Sequence, residues 1–165
     1  MAVLPILRWP DDRLRMVCEP VAADDDVAAV IGDLFDTMYA APGRGLAGPQ
    51  IGVMKRVFVV DVGWKDGPRS PVAFVNPRLI ETSETLVEGT EACLSIPGIS
   101  TVVTRPDWIV LAWSDAEGRH HSRRFDAAEA RCIQHELDHL NGIVTLQHLD
   151  PAARAKADAD YAVAG

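Results

Sequence analysis

What this 165-residue sequence lacks narrows it early. No apolar run approaches the length of about 20 residues that a membrane span needs. No repeat, linker or second-domain boundary interrupts the chain, so its length predicts one domain over 1–165, with 151–165 as a tail that forms a short helix or frays. Positive charge is scarce: 16 Lys and Arg against 24 Asp and Glu leave a net charge of −8 and a pI of about 5.0. That balance argues against nucleic acid and anionic membranes as partners. An even cysteine set is missing too, since Cys18, Cys93 and Cys132 are three, which does not suit a disulfide framework. The opening Met1 to Arg8 is too short an apolar run for a secretory signal, and Trp9-Pro10-Asp11-Asp12 ends it. The expectation is a cytoplasmic protein with free or metal-bound thiols. With 48% hydrophobic and 24% charged residues, it buries a core without staples.

One stretch stands out. His135-Glu136-Leu137-Asp138-His139 reads H-E-x-x-H within a helical pattern. Residues four apart on an α-helix are offset by about 40° around the axis and rise about 6 Å. Two imidazoles so spaced close on one metal ion, and the glutamate beside the first reaches a water at that metal as proton acceptor. The blander reading, two histidines on a helix flank, suits a lone histidine better than the full pattern.

Periodicity frames this motif. Pro10-Asp11-Asp12 caps a helical turn over 11–15. Val27, Val30, Ile31, Leu34, Phe35 and Met38 form the apolar stripe of a helix led by Asp24-Asp25-Asp26 and stopped by Pro42-Gly43. Gly43 to Gln50 is a glycine-rich loop. Strands are expected over 56–62 and 72–75, the second closed by Asn76-Pro77. Segments 108–113 and 120–125 flank Asp115-Ala116-Glu117-Gly118 as a hairpin. The motif helix is expected over 127–141, with Asp126 and Glu129 as a capping box and Gly142 as its stop. Ile133, Leu137 and Leu140 form its core stripe.

A catalytic metal needs a third protein ligand and a position for water. His120 and His121 point to opposite faces of a strand, and His148 reads as a surface loop residue. Cys132 lies three residues before His135. To bind together with His139 it would span seven residues, about 10.5 Å of helix rise, so it reads better as a small buried hydrophobe. Cys18 reads the same way. Cys93 lies in an extended segment, Glu91-Ala92-Cys93-Leu94-Ser95-Ile96-Pro97-Gly98, able to aim one side chain at a cleft and offer backbone to a ligand. Spacing alone leaves Cys93 one candidate among several, carboxylates included.

Three motifs then resemble those of the peptide deformylase family, in that family's order. Gly43-Arg44-Gly45-Leu46-Ala47-Gly48-Pro49-Gln50 is similar to G-Φ-G-Φ-A-A-x-Q, where Φ is apolar. Glu91-Ala92-Cys93-Leu94-Ser95 is similar to E-G-C-L-S, and Gln134-His135-Glu136-Leu137-Asp138-His139-Leu140 to Q-H-E-x-D-H-L. The similarity runs from Trp9-Pro10-Asp11 through Asn76-Pro77 to Leu149. It implies an α+β fold in which antiparallel β-sheets surround a central helix carrying the H-E-x-x-H motif. It implies Fe(II), with Zn(II) or Ni(II) as substitutes, held by Cys93, His135 and His139. It further implies a metal-dependent hydrolase that removes the formyl group from the N-terminal formyl-methionine of new proteins. The partners would be an N-formyl-Met peptide or nascent chain and, transiently, the ribosome.

Within that chemistry the resemblance makes Glu136 the base that later protonates the leaving amine. It makes the Gln50 amide and the Leu94 backbone N–H the oxyanion donors, and brings the Gly45 backbone close to substrate. Gly43, Arg44, Glu91 and Ala92 complete the substrate-binding set, the stretch around Cys93 pairing with the peptide as an added strand. Ligand softness and the Irving–Williams order favour zinc, so iron enters through the resemblance alone.

Several positions depart from the family pattern. Arg44 stands where an apolar residue is usual, and Gly48 replaces an alanine, which predicts a looser loop. Ala92 replaces the glycine before the cysteine, at about 1 kcal/mol if φ is positive there. Gly98-Ile99-Ser100 lacks a basic residue, and Asp158 and Asp160 offset Arg154 and Lys156, so the tail is not a basic ribosome-docking helix. Two alternatives stay open. One is an amidohydrolase of the same build with a different N-acyl substrate. The other is a metal-stabilised binding protein with weak catalysis, against which Glu136 and Gln50 speak. A zinc endopeptidase fits less well, since the third ligand resembles Cys93.

Overall fold

The computed structural model describes residues 2–164, so Met1 and the final Gly165 of the expected tail lie outside the described residues. Strands β1 (Gly45–Ala47), β2 (Val57–Val60), β3 (Val72–Thr82), β6 (Trp108–Ser114) and β7 (His120–Asp126) form one antiparallel sheet in the order β1-β2-β3-β6-β7. Strands β4 (Leu86–Cys93) and β5 (Ile96–Pro106) pair separately as a long antiparallel hairpin. The α+β expectation of antiparallel sheets around a central motif-bearing helix is met.

The alternation of β2 explains the layering. Val57 and Val59 face helix α1 (Val27–Ala40) through Ile31, Leu34 and Met38. Phe58 and Val60 face helix α2 (Ala127–Leu140) through Ala130, Ile133 and Leu140. A strand covered on both faces reads as a continuous apolar run. The second core is aromatic, with Phe58 stacked on Phe74 at 4.8 Å and Phe125 and Trp113 packed beside them. Each such buried side chain stabilises by about 1.5–3 kcal/mol. A third cluster joins Cys93, Ile96 and Ile99 at the hairpin end to Leu14, Val144, Leu146 and Ala157. Ala157 belongs to α3 (Pro151–Ala164), so the expected tail is helical and docked, with Tyr161 Oη donating to the Trp9 carbonyl at 2.6 Å. Among the described residues no helix is long and apolar enough to cross a membrane.

Local signals hold at several ends. The Asp26 carboxylate accepts from Ala29 N–H, so the acidic leader does cap α1. Three expectations are corrected. Strand β3 does not close at Asn76-Pro77. It continues to Thr82 through a register shift between Val75 and Arg78, and a proline in such an irregularity forfeits no ladder bond. The Asp126–Glu129 capping box is absent. Asp126 makes no cap bond and instead accepts from Arg124, while Glu129 accepts from Arg123. The chain turns into α2 through Ala127 at φ +49, whose N–H is taken by the Asp107 carbonyl. Finally, the Glu91–Gly98 stretch is the closed end of the long β4–β5 hairpin.

Gly142 stops α2 as expected, at φ +73, with its N–H on the His139 carbonyl. A Cβ there would also lie 2.6 Å from the Arg15 carbonyl oxygen. Gly142→Ala therefore loses more than about 2 kcal/mol in urea unfolding. Gly63→Ala, with nothing within 4 Å of its added methyl, stays within about 0.5 kcal/mol. Equal stability of the two variants would contradict this reading of the turn.

Candidate metal centre

Helix α2 presents His135, Glu136 and His139 on one buried face. Cys93 arrives from the end of β4, and Gln50 from a 3-10 turn over Gly48–Ile51. One ligand atom each from Cys93, His135 and His139 lies within 4.8 Å of the others, and all three residues are buried. Cys93 Sγ is 3.4 Å from His139 Nε2. Donors placed about 2.0–2.3 Å from a common tetrahedral centre stand about 3.3–3.8 Å apart, so this set fits a divalent cation. The remaining histidines lie elsewhere. His120 bonds Ser114, His121 bonds Asp115, and His148 bonds Asp138.

The site's electrostatics turn on Glu91. Its buried carboxylate accepts from Arg105 Nε (2.6 Å) and Nη2 (2.9 Å), Arg131 Nη1 (2.8 Å) and His135 Nδ1 (2.9 Å). Burial pushes the Glu91 pKa up, but the bonds from Arg105 and His135 outweigh it and hold the group well below the usual carboxylate range. Glu91 therefore uses its charge to hold His135, although the residue also lines the cleft. Sequence reasoning put Glu91 with the substrate-binding residues and missed Arg105 and Arg131. The sequence offered no clear signal for them: the buried positions on β5 alternate as Ile99, Thr101, Val103 and Arg105, but two of the four are polar, and only in the fold does the inward arginine meet its buried acid.

Glu136 sits beside the triad, with Oε2 4.0 Å from His135 Nε2 and Oε1 buried without a partner among the described residues. Burial, helped by Glu91 against the opposing pull of His135, pushes its pKa up to about 7. Burial also disfavours charge on both histidines. It drives His139 well below the usual range, whereas Glu136 and Cys93 overcome it at His135 and drive that pKa well up.

Gly45 borders this group, since a Cβ there would stand 2.7 Å from Glu136 Oε2. Gln50 Oε1 accepts from Ala47 N–H at 3.0 Å, which turns Nε2 toward Ser95 Oγ (3.0 Å) and Cys93 Sγ (3.7 Å). Gly43, Arg44, Ala92 and Leu94 line the same cleft, of about 760 Å³. Cys132 lines it as well and is half-buried, with Sγ on the Arg44 carbonyl at 3.7 Å.

The departures gain physical content. Ala92 is a regular β4 residue paired with Ser100 and not at positive φ, so it carries no left-handed strain. Gly48 does not loosen its loop, because a Cβ there would lie 2.6 Å from the Val53 carbonyl oxygen. Arg44 reaches Asp66 at 3.7 Å across the cleft mouth.

A family model described as polypeptide deformylase matches residues 3–155. A relative from Rhizorhabdus wittichii named peptide deformylase is 44% identical over 160 residues, spanning 93% of this chain and 90% of that protein. The crystal structure of a peptide deformylase from Legionella pneumophila superposes with a TM-score of 0.90 at 37% identity, covering 97% of this chain and 94% of that one. One from Ehrlichia chaffeensis, in complex with actinonin, gives 0.89 at 36%, covering 97% and 96%.

Glu91→Gln removes the charge that holds His135 and leaves Arg105 with Asp138 as its one carboxylate partner among the described residues. It lowers metal affinity by about 10–100-fold and stability by about 3–5 kcal/mol. Because the folded Glu91 pKa is depressed, its stabilisation is present above the unfolded value of about 4.3 and is lost as pH falls through the folded value. Competitive metal titration and acid unfolding check both effects. Unchanged affinity in the variant would remove Glu91 from this role.

Proposed function

The chain belongs to the polypeptide deformylase family, a family of metal-dependent hydrolases, and we propose that Cys93, His135 and His139 hold its metal while Glu136 moves the proton. The reaction is removal of the formyl group from the N-terminal formyl-methionine of newly made polypeptides. The observation that carries this reading is the buried triad with Glu136 alongside. A bound divalent cation supplies Lewis acidity, which acidifies water and polarises the formyl oxygen. Glu136 takes a proton from the attacking water and passes it to the departing amine, so formate and a free N-terminus leave. A carboxyl poised at about 7 serves both transfers near neutral pH.

Gln50 and Leu94 act on the oxyanion. Since Ala47 N–H occupies Oε1, Gln50 meets the centre with its donor end. The Leu94 backbone N–H, next to Cys93, is the second donor. Gly45 keeps its backbone close to substrate and leaves space for the Glu136 carboxylate. Gly43, Arg44 and Ala92 border the peptide, with the end of β4 as the edge it pairs against. The native ion is Fe(II), with Zn(II) or Ni(II) able to replace it, since a thiolate and two imidazoles suit all three. The chain works as one domain in the cytoplasm, on nascent chains and with transient access to the ribosome.

Anaerobic hydrolysis of formyl-Met-Ala-Ser beside its acetyl counterpart tests the reading. The formyl peptide turns over and the acetyl peptide does not. Glu136→Gln keeps its metal by elemental analysis and loses about 10²–10⁴ in kcat. The Fe(II) form decays in air and the Ni(II) form persists. Turnover that survives in Glu136→Gln, or metal that leaves with it, would sink the proposed roles.

A further inference from the structure

Between β2 and β3 the chain runs through residues 61–70 without helix or strand. A surface loop of this length keeps one shape only where its own side chains pack it. The Asp61 carboxylate at its start accepts from the Ser70 N–H at its end (3.0 Å) and from Tyr39 Oη of α1 (2.6 Å). Burial, with Asp61 beside it, pushes the Tyr39 pKa up to about 12, so the phenol stays the donor. Trp64 meets the Tyr39 ring edge to face at 5.1 Å, and the Arg69 guanidinium lies 3.8 Å from the centre of that ring.

Trp64 also makes one directed contact outside the loop. Its indole N–H donates to the Gly43 carbonyl at 2.8 Å. Gly43 is buried, so that carbonyl needs a donor. The Gly43 N–H is taken by the Met38 carbonyl at 2.8 Å, and a Cβ on this residue would lie 2.6 Å from Leu94 Cδ1. Gly43 is therefore gripped by α1 and Trp64 and seated against Leu94. Val62, Lys65 and Asp66, on either side of Trp64, line the cleft, while the indole turns back to Gly43.

This grip acts on the edge of β1. That strand is three residues long and ends the five-stranded sheet. The Arg44 carbonyl accepts from Asp61 N–H at 2.9 Å, so in an antiparallel ladder the N–H and C=O of the next residue, Gly45, point away from β2. Ala47 shares that outward sense, and its N–H meets Gln50 Oε1, so the edge faces the metal centre. Gly43 and Gly45 give this short edge pairing groups but little stiffness of their own. Pairing with an extended peptide is tighter when the edge is already in place.

We infer that Trp64 is a positioning residue for the peptide: by holding the Gly43 carbonyl it pre-forms the β1 edge, against which substrate residues beyond the formyl-methionine pair. The inference rests on the deformylase reading, because the formyl group must occupy the metal centre for the following residues to reach this edge.

The test measures kcat and KM for formyl-Met-Ala-Ser and for formyl-methionine amide, which lacks the later residues, on metal-loaded wild type, Trp64→Phe and Trp64→His. The ratio of the two kcat/KM values cancels any general loss of folded or metal-bound enzyme. Trp64→Phe keeps a ring against Tyr39 and removes the N–H, so the tripeptide-to-amide ratio falls about three- to tenfold, carried by a higher KM for the tripeptide. Trp64→His places a ring N–H where the indole had one and recovers part of the ratio. It also keeps the comparison available if the phenylalanine variant does not fold. A ratio that stays at the wild-type value in Trp64→Phe, or one that falls equally in both variants, overturns the inference and leaves deformylation standing. No turnover of either substrate by wild type overturns both readings.

Discussion

The carboxylate of Glu91 accepts from two guanidinium groups and one imidazole, and through them it fastens the β4–β5 hairpin to α2. A buried carboxylate without partners is prohibitively costly, and the same group with four donors stays ionised at all ordinary pH. Its ionisation dictates the histidine's state. His135 donates from Nδ1, so Nε2 is the nitrogen left to face Cys93 and His139. Arg105 carries the network onward. Its Nη1 reaches Asp138, which also accepts from His148 Nε2 at 2.8 Å. Arg131, His135 and Asp138 fall at i, i+4 and i+7 on α2, so one helix face is held by charge along most of its length.

This joint matters because the two sheets share no hydrogen-bonded strand. The opposite face of α2 is apolar, with Ala130, Ile133 and Leu140 in the aromatic core. The helix is thus pressed against the five-stranded sheet by the hydrophobic effect and anchored to the hairpin by directed polar contacts. Burial tolerates small shifts, whereas hydrogen bonds near 2.8 Å do not. The two histidines of the candidate metal site sit on the side governed by the stricter of the two, and Cys93 comes from the hairpin that the Glu91 network locates.

The parts of this arrangement legible in the sequence are the local ones. The H-E-x-x-H spacing, the α1 stripe with its Asp26 cap, and the Gly142 stop each concern residues within about three turns of one another on one helix. What was hidden is non-local. Cys93 and His139 are 46 residues apart, and no spacing rule joins them, so only the family resemblance selected Cys93. The β4–β5 hairpin escaped notice because two of its inward positions, Thr101 and Arg105, are polar and erase the alternation that marks a strand. Missing the hairpin meant missing Arg105, and without Arg105 the carboxylate of Glu91 read as a group for substrate. Asn76-Pro77 misled in the opposite direction, because proline ends a regular strand but fits an irregular one.

Two cysteines border the centre, and geometry decides between them. Cys132 and Cys93 both line the cleft, yet only Cys93 falls within reach of both histidines. Cys132 sits a turn earlier on the same helix as His135, so the helix rise carries its sulfur away from His139. Burial, with Glu136 and Glu91 nearby, pushes its pKa well above the usual thiol range, so it stays protonated and poorly disposed to bind a cation. Its Sγ instead rests on the Arg44 carbonyl, against the glycine-rich segment that borders Glu136. The same low-dielectric surroundings that raise the Glu136 carboxyl to a useful value therefore silence the neighbouring thiol. Which sulfur joins the two histidines in the candidate site follows from the strand or helix that delivers it, and not from the sulfurs themselves.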